Sequence, residues 1–224
     1  MSGRDDRLAL LAELGLLSGS LSHELRQPLF AVKSLGQLLQ ARCPEGAELA
    51  SQLLGQVAHL ERLVQAHAVY LQDGNGPVAP VDPVAAVRQA MDLVSARART
   101  RGLRVAFEPL GDLPAVRGRP TAVVQIVVNL LHNALLSCER GDSVDVRLRA
   151  GEQVTISVSD SGPGIPEALR DRVFERFFTT RPDGEGTGLG LPLSRQLARD
   201  MGGELSLQPS ETGATFQLTL ERWA

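Results

Sequence analysis

A histidine and a glutamate are adjacent in the stretch "LSHELRQPLF", and a proline follows five residues after the histidine. In a helix whose Leu21 and Leu25 point inward, His23 lies between them and faces water. The carboxylate of Glu24 can accept the proton of one ring nitrogen, which leaves the other nitrogen as a nucleophile. Pro28 supplies no backbone N–H, so the carbonyl of Glu24 loses its helical partner and the helix bends there. The stretch predicts an exposed, nucleophilic imidazole beside a kink.

Polar residues interrupt apolar segments in the second half of the chain. Asn129 and Asn133 lie one turn apart in the largely aliphatic stretch "PTAVVQIVVNLLHNALLSC", so they share one face of a helix. Amides in such a helix are costly unless they meet ligands, and this face therefore predicts a binding site. Asp160 ends an alternating strand, and the glycines that follow it, Gly162 and Gly164, allow a ligand to come close to the backbone.

The elements that must position these residues begin with a heptad pattern. Between Leu11 and Leu39 apolar residues recur at alternating spacings of three and four, and the same spacing returns between Ala50 and Leu71. The breakers in "CPEGAE" separate the two segments, so we expect two helices in an antiparallel hairpin. One hairpin buries too little apolar surface by itself, and the pattern therefore predicts a homodimer whose hairpins form a four-helix bundle.

A Gly- and Pro-rich stretch follows the hairpin and predicts three regions: a helical domain at 1–73, a linker at 74–83 and a second domain at 84–224. The second domain should contain a helix capped by Asp82 and stopped by Gly102, and another opened by Pro120. Segments of alternating polarity between the helices predict β-hairpins. The fold class is α+β: a helical hairpin followed by an α/β sandwich.

Composition excludes several classes of function. The net charge of -3 and the pI near 5.8 give no reason to expect binding to nucleic acid or to an anionic membrane surface. The most apolar stretches are too short or too polar for direct membrane insertion. Cys43 and Cys138 are far apart and belong to no CxxC pair, so we expect reduced thiols and a cytoplasmic location.

The stretch "SHELRQPL" resembles the phosphoacceptor box of sensor histidine kinases. In the order typical of that family, "NLLHNALLS" resembles the asparagine box, "DSGPG" the first glycine box, "VFERFFTTR" the phenylalanine box and "GTGLGL" the second glycine box. The resemblance extends from about Leu11 to Leu220, and "FFTTRPDGEGTGLGL" is most similar to the nitrogen-regulatory and dicarboxylate-sensing branch. It implies that the sandwich is a Bergerat-type ATP-binding domain, with ATP and Mg²⁺ as cofactors.

The resemblance implies roles for individual residues. Asn133 corresponds to the ligand of a Mg²⁺ ion that bridges the ATP phosphates, with Asn129 on the same helix face. Asp160 corresponds to the acceptor of the adenine amino group, beside Gly162 and Gly164. The second glycine box directs backbone N–H groups and a helix N-terminus toward the triphosphate. Its residues are Gly186, Thr187, Gly188, Leu189 and Gly190. Their spacing also resembles a dinucleotide fingerprint, but that motif follows the first strand of a βαβ unit, and this one lies late in the chain.

Two positions depart from the family's pattern. Leu136 stands three positions after Asn133, where many relatives have a basic residue that meets phosphate, so Arg181 and His132 are the candidates for that charge. Gln27 stands four positions after the histidine, where many relatives have Thr or Asn that orient a water for dephosphorylating the partner. We therefore assign Gln27 to the phosphatase position.

The function that the resemblance implies is an ATP-dependent protein histidine kinase. The γ-phosphoryl group moves to His23, Glu24 shares the other ring proton, and the phosphoryl group passes to an aspartate of a response regulator. Two alternatives stay open. An ATPase of the same superfamily needs a glutamate that activates water, where this chain has Asn129. A catalytically silent phosphotransfer or scaffold module has no evident need for nucleotide boxes.

Overall fold

The structure is a computed structural model of the chain and describes residues 28–40, 46–57, 77–180 and 188–224. The molecule contains two compact units, Met1–Asn75 with Phe177–Leu189, and Gly76–Arg176 with Gly190–Ala224. We refer to the first as the hairpin unit and to the second as the sandwich unit. Several residues singled out in the sequence lie outside the described ranges: His23, Glu24, Gln27, Arg181, Gly186 and Thr187.

The hairpin unit contains two described helical segments, α1 at 28–40 and α2 at 47–57. The two segments pack together at Gly36, where an added Cβ would lie 3.0 Å from the Cδ2 atoms of both Leu53 and Leu54. The glycine allows this close contact without a shift of the leucine side chains. Ala50 and Val57 of α2, two positions of the predicted seam, are buried. The expectation of paired helices is thus met in the described part of this unit.

The seam of α1 is exposed in the single chain. Leu35 is 66% exposed and Leu39 is 48% exposed, and α2 adds Leu53 at 42%. A further set of large apolar side chains on the two helices is also exposed: Phe30, Val32, Leu38 and Leu49. A set of exposed apolar side chains of this size is typical of a protein–protein interface.

Three helices build one layer of the sandwich unit. Helix α3 spans Pro83–Arg101, α4 spans Pro120–Ser137 and α5 spans Gly190–Asp200. The carboxylate of Asp82 caps α3 by accepting hydrogen bonds from two backbone N–H groups, and Gly102 ends the helix in a left-handed conformation with φ 67°. The predicted start and stop signals of α3 and the proline that opens α4 are confirmed.

A mixed sheet forms the other layer. Its five strands lie in the order β2, β4, β5, β7, β6, and all neighbours are antiparallel except the parallel pair β2 and β4. A separate antiparallel pair joins β1 to β3. The strand bounds are Ala79–Val81 for β1, Arg104–Leu110 for β2, Val116–Gly118 for β3, Ser143–Ala150 for β4, Gln153–Asp160 for β5, Glu204–Gln208 for β6 and Thr215–Glu221 for β7. The predicted hairpins β4–β5 and β6–β7 are present, and β1 lies inside the segment 74–83 that the composition indicated as a linker.

The core lies between the sheet and the helices. On β5 the side chains of Val154, Ile156 and Val158 are buried, while the residues between them are partly exposed. This alternation follows from the period of two in a strand with one covered face. The covering helix is α4, which packs against α3, α5 and the sheet. Among the described residues, α4 alone is long and apolar enough to cross a membrane, and its packing makes it the central helix of this unit.

Candidate functional site

The carboxylate of Asp160 lies at the end of β5 and is only 8% exposed. Its Oδ1 atom accepts a hydrogen bond from the backbone N–H of Gly162 at 3.0 Å and another from that of Ala214 at 3.2 Å. Both of these bonds from the described residues end on Oδ1, so Oδ2 can accept a hydrogen bond from a ligand. Burial raises the pKa of Asp160, against the effect of the two backbone N–H donors, and the nearby Asp142 raises it further.

Glycines surround this carboxylate because side chains do not fit there. A Cβ on Gly213, which has φ 63°, would overlap the Asp160 backbone, and a Cβ on Gly164, which has φ 75°, would lie 2.8 Å from the Gly213 carbonyl oxygen. A Cβ on Gly162 would lie 3.1 Å from the carbonyl oxygen of Ser137, the last residue of α4. The backbone is therefore close-packed around Asp160. We refer to this carboxylate with Gly162, Gly164, Gly213 and Ala214 as the Asp160 pocket.

The loop after Asp160 is tied to the loop after α4. The hydroxyl of Ser161 donates to Asp142 Oδ1 at 2.9 Å and accepts from the backbone N–H of Ser143, while Asp142 Oδ2 accepts from the backbone N–H of Glu139. Cys138 is buried beneath these loops, and burial is the main cause that raises its pKa to about 11. The thiol is therefore unreactive at neutral pH, as a structural cysteine should be.

Asn129 lies where α4 meets the start of α5. Its Nδ2 donates to the buried Ser194 hydroxyl at 3.0 Å, and a Cβ on Gly190 would overlap its Oδ1 atom. Asn133 is half-buried one turn further along α4, on the same face and toward the end that contacts Gly162. Helix α4 therefore meets the Asp160 pocket at its C-terminal end and the first residue of α5 at Asn129, near its middle.

Gly188 and Leu189 belong to the hairpin unit. The carbonyl of Gly188 accepts a hydrogen bond from the backbone N–H of Phe177 at 2.8 Å, and both residues have positive φ, 62° and 66°. A Cβ on Gly188 would overlap the Phe177 backbone. The glycine of the motif thus permits a close backbone contact, at the cost of a left-handed phenylalanine next to it.

Phe174, the first phenylalanine of "VFERFF", is held inside the sandwich unit. Its ring meets the edge of Phe216 at a centroid distance of 6.2 Å, and the guanidinium of Arg195 lies 4.6 Å from its centroid. Glu204 fixes Arg195 through a 2.5 Å contact and also pairs with Arg199. The hydrogen bond from Arg199 is the main cause that lowers the pKa of Glu204, although burial opposes it. Helix α5 thus anchors the start of this motif.

The structure adds residues that the sequence did not indicate. Gly213 and Ala214 complete the Asp160 pocket, and Ser194 holds Asn129. The only sequence signal for the first pair is a glycine just before β7, which is indistinguishable from an ordinary hairpin turn. Ser194 gives no signal, because a serine on a helix is common.

The donor atoms available at α4 suit a hard cation. Among the described residues, no three His, Cys, Asp or Glu side chains cluster as a metal site. A single amide oxygen from Asn133 fits Mg²⁺ in a nucleotide complex, since that ion keeps several waters and takes further ligands from phosphates. The residues present are therefore compatible with the ion that the resemblance implies.

Comparison with known proteins places the sandwich unit in a family. Residues 118–223 match the model of the histidine kinase-, DNA gyrase B- and HSP90-like ATPases. The catalytic domain of the histidine kinase ThkA superposes with a TM-score of 0.60 at 27% identity, covering 66% of this chain and 97% of that one. Full-length ShkA in complex with AMPPNP gives a TM-score of 0.68 at 29% identity, covering 93% of this chain and 46% of that one. The sandwich unit is a domain of this ATPase family.

Curated relatives extend the similarity to the hairpin. The two-component sensor PprA of Pseudomonas aeruginosa is 33% identical over 95% of this chain and 25% of that protein. The sensor histidine kinase ZraS of Escherichia coli is 31% identical over 94% of this chain and 46% of that protein. The chain thus spans a quarter to about half of the length of these relatives. Over nearly its whole length it corresponds to the catalytic core of sensor histidine kinases, while its placement in the nitrogen-regulatory branch stays a prediction.

Proposed function

We propose that this chain acts as an ATP-dependent protein histidine kinase in two-component signalling, with His23 as the phosphoacceptor. The observation that carries the proposal is the close-packed Asp160 pocket, connected by one helix to the contact between Asn129 and Gly190. A second observation supports the proposal. The similarity to sensor kinases extends over nearly the whole chain and includes the stretch around His23.

Nucleotide recognition begins with the carboxylate of Asp160. Its Oδ1 atom is held by two backbone N–H groups, so Oδ2 is oriented to accept a hydrogen bond from the adenine amino group. Gly162 and Gly164 let the backbone pass close to the base. The phosphates extend along the Asn129–Asn133 face of α4 toward the start of α5, whose N-terminal end favours negative charge.

Mg²⁺ would be held by Asn133 and would neutralise charge on the transferring phosphoryl group. Asn129 is positioned beside it by Ser194. The second glycine box, Gly186 to Gly190, supplies backbone donors, with Arg181 as an additional phosphate contact. Positioning accounts for most of the rate in this reaction class, because the protein contributes alignment and charge neutralisation.

The chemical step forms a phosphoramidate. A ring nitrogen of His23 attacks the γ-phosphorus in line, the bond from that phosphorus to the bridging oxygen breaks, and ADP leaves with the bond's electron pair. Glu24 takes up or shares the proton on the other ring nitrogen, which balances the charge on the phosphorylated imidazole. The phosphoryl group then passes to an aspartate of a response regulator. Gln27 is the candidate for orienting a water that dephosphorylates the partner, with release of inorganic phosphate.

Assembly and location complete the proposal. The exposed leucines of α1 and α2 are covered by a second copy of the chain, which gives a homodimeric four-helix bundle. The catalytic core works in the cytoplasm, where ATP and receiver domains are present, and it binds neither nucleic acid nor membrane directly.

The test is incubation with γ-³²P-labelled ATP and Mg²⁺, followed by acid treatment. Wild type should acquire an acid-labile label, because phosphoramidates hydrolyse in acid. His23→Ala should acquire none, whereas His59→Ala, a histidine of the second predicted helix, should be labelled like wild type. Label on His23→Ala equal to wild type refutes the assignment. Rapid phosphate release without any phosphoprotein would instead identify a superfamily ATPase.

A further inference from the structure

The face of α4 that carries the asparagines needs a positive charge that its own sequence does not supply. A nucleotide triphosphate brings several negative charges to this face, and a single divalent ion does not neutralise them. Leu136 is half-buried and stands at the position of α4 where a basic residue would meet phosphate. A cation from a neighbouring element of the same unit can supply this charge in addition to Arg181.

Helix α3 places an arginine beside His132, which lies one helical turn before Leu136 on α4. Arg97 NH1 lies 2.6 Å from Nε2 of His132, the residue directly before Asn133. A guanidinium has only N–H donors, so Arg97 donates this hydrogen bond to Nε2. The ring of His132, one helical turn from both Asn129 and Leu136, thus holds a full positive charge beside the asparagine face of α4.

The charge of Arg97 is uncompensated and accessible. Its side chain is exposed, and no ion pair among the described residues involves it. The next arginine on the same side of α3, Arg101, has a different role, because its NH2 donates to the Cys138 carbonyl at the end of α4 at 3.2 Å. An arginine held through one N–H group by a histidine keeps most of its five donors for a ligand.

We propose that Arg97 binds the phosphates of the bound nucleotide and that His132 positions its guanidinium. This inference rests on the proposed nucleotide-binding function and assigns the charge that Leu136 does not provide. Arg97 contacts the anionic part of the ligand and leaves the adenine to the Asp160 pocket. Its effect therefore grows with the number of phosphates on the ligand.

The experiment measures the affinity of the full chain for adenosine, ADP and ATP with Mg²⁺ by isothermal titration calorimetry. Arg97→Ala should bind ATP about 10- to 100-fold more weakly than wild type, the loss typical of one charge-assisted hydrogen-bonded contact, and should bind adenosine equally well. Arg97→Lys should recover part of the ATP affinity because it keeps the charge. The matched control is Arg99→Ala, which removes an exposed arginine from the other side of the same helix and should bind like wild type.

Substitution of the histidine separates positioning from binding. His132→Ala should reduce ATP affinity less than Arg97→Ala, and the double variant should lose little more than Arg97→Ala alone, because His132 acts through Arg97. Equal affinity of Arg97→Ala and wild type for ATP overturns the inference and leaves the kinase proposal standing. Equal losses for adenosine and ATP also overturn it, since they indicate a structural role. A wild-type chain that binds none of the three ligands refutes the proposed function itself.

Discussion

Replacement of Asp160 by asparagine separates its structural role from its role in binding. Both hydrogen bonds described for the carboxylate end on Oδ1, and an asparagine Oδ1 can accept both of them. The change places an NH2 group where Oδ2 would accept from the adenine amino group, so a donor faces a donor. A hydrogen bond to a charged group contributes about 1.5–3 kcal/mol, and the affinity for ATP should fall about 10- to 100-fold.

The effect of Asp160→Asn on stability should have the opposite sign. Burial raises the pKa of Asp160, so the folded state disfavours its charged form. The neutral amide removes that cost at pH 7, and the free energy of unfolding should be equal to or greater than that of wild type. The advantage should shrink as the pH falls through the folded-state pKa and vanish below the unfolded value of about 3.9.

Both quantities can be measured on the intact chain. Calorimetric titration gives the ATP affinity, and urea unfolding followed by the fluorescence of Trp223, the single tryptophan, reports on the sandwich unit. Asp112→Asn, in an exposed loop, is the matched control and should change neither quantity. Unchanged ATP affinity of Asp160→Asn would refute the adenine assignment. A loss of more than about 2 kcal/mol of stability at pH 7 would contradict the hydrogen-bond argument.

Three further substitutions test contacts within the sandwich unit, at Gly190 and Gly213, and the exposed surface of the hairpin unit, at Leu35. Gly190→Ala should destabilise the sandwich unit by about 1–3 kcal/mol and weaken ATP binding, because its Cβ overlaps the Asn129 amide, whereas Gly151→Ala, whose Cβ has only ordinary contacts, should be near neutral in urea unfolding. Gly213→Ala should cost at least about 1 kcal/mol by the same measurement, since it forces a left-handed alanine against Asp160. Leu35→Asp should convert a dimer to monomers in light scattering, whereas Leu93→Asp, equally exposed at 66% but on α3, should leave the mass unchanged.

Local signals account for the parts of the fold that the sequence predicted. The cap at Asp82, the stop at Gly102 and the proline that opens α4 each act within a few residues, so they are readable without a structure. Alternating polarity likewise predicted the hairpins, because a strand with one covered face repeats every two residues. The motifs around Asn133 and Asp160 were readable for the same reason, since each lies within one helix or one turn.

The sequence by itself determined the elements, the order of the motifs and the chemistry of the residues in them. Only the tertiary structure decided which distant residues meet. The register of β5 with β7 pairs Ser159 with Thr215, and this pairing brings the N–H of Ala214 to the carboxylate of Asp160. The packing of α3 on α4 likewise brings Arg97 to His132. Such contacts depend on side-chain packing and strand register summed over whole elements, and no local pattern in the chain encodes them.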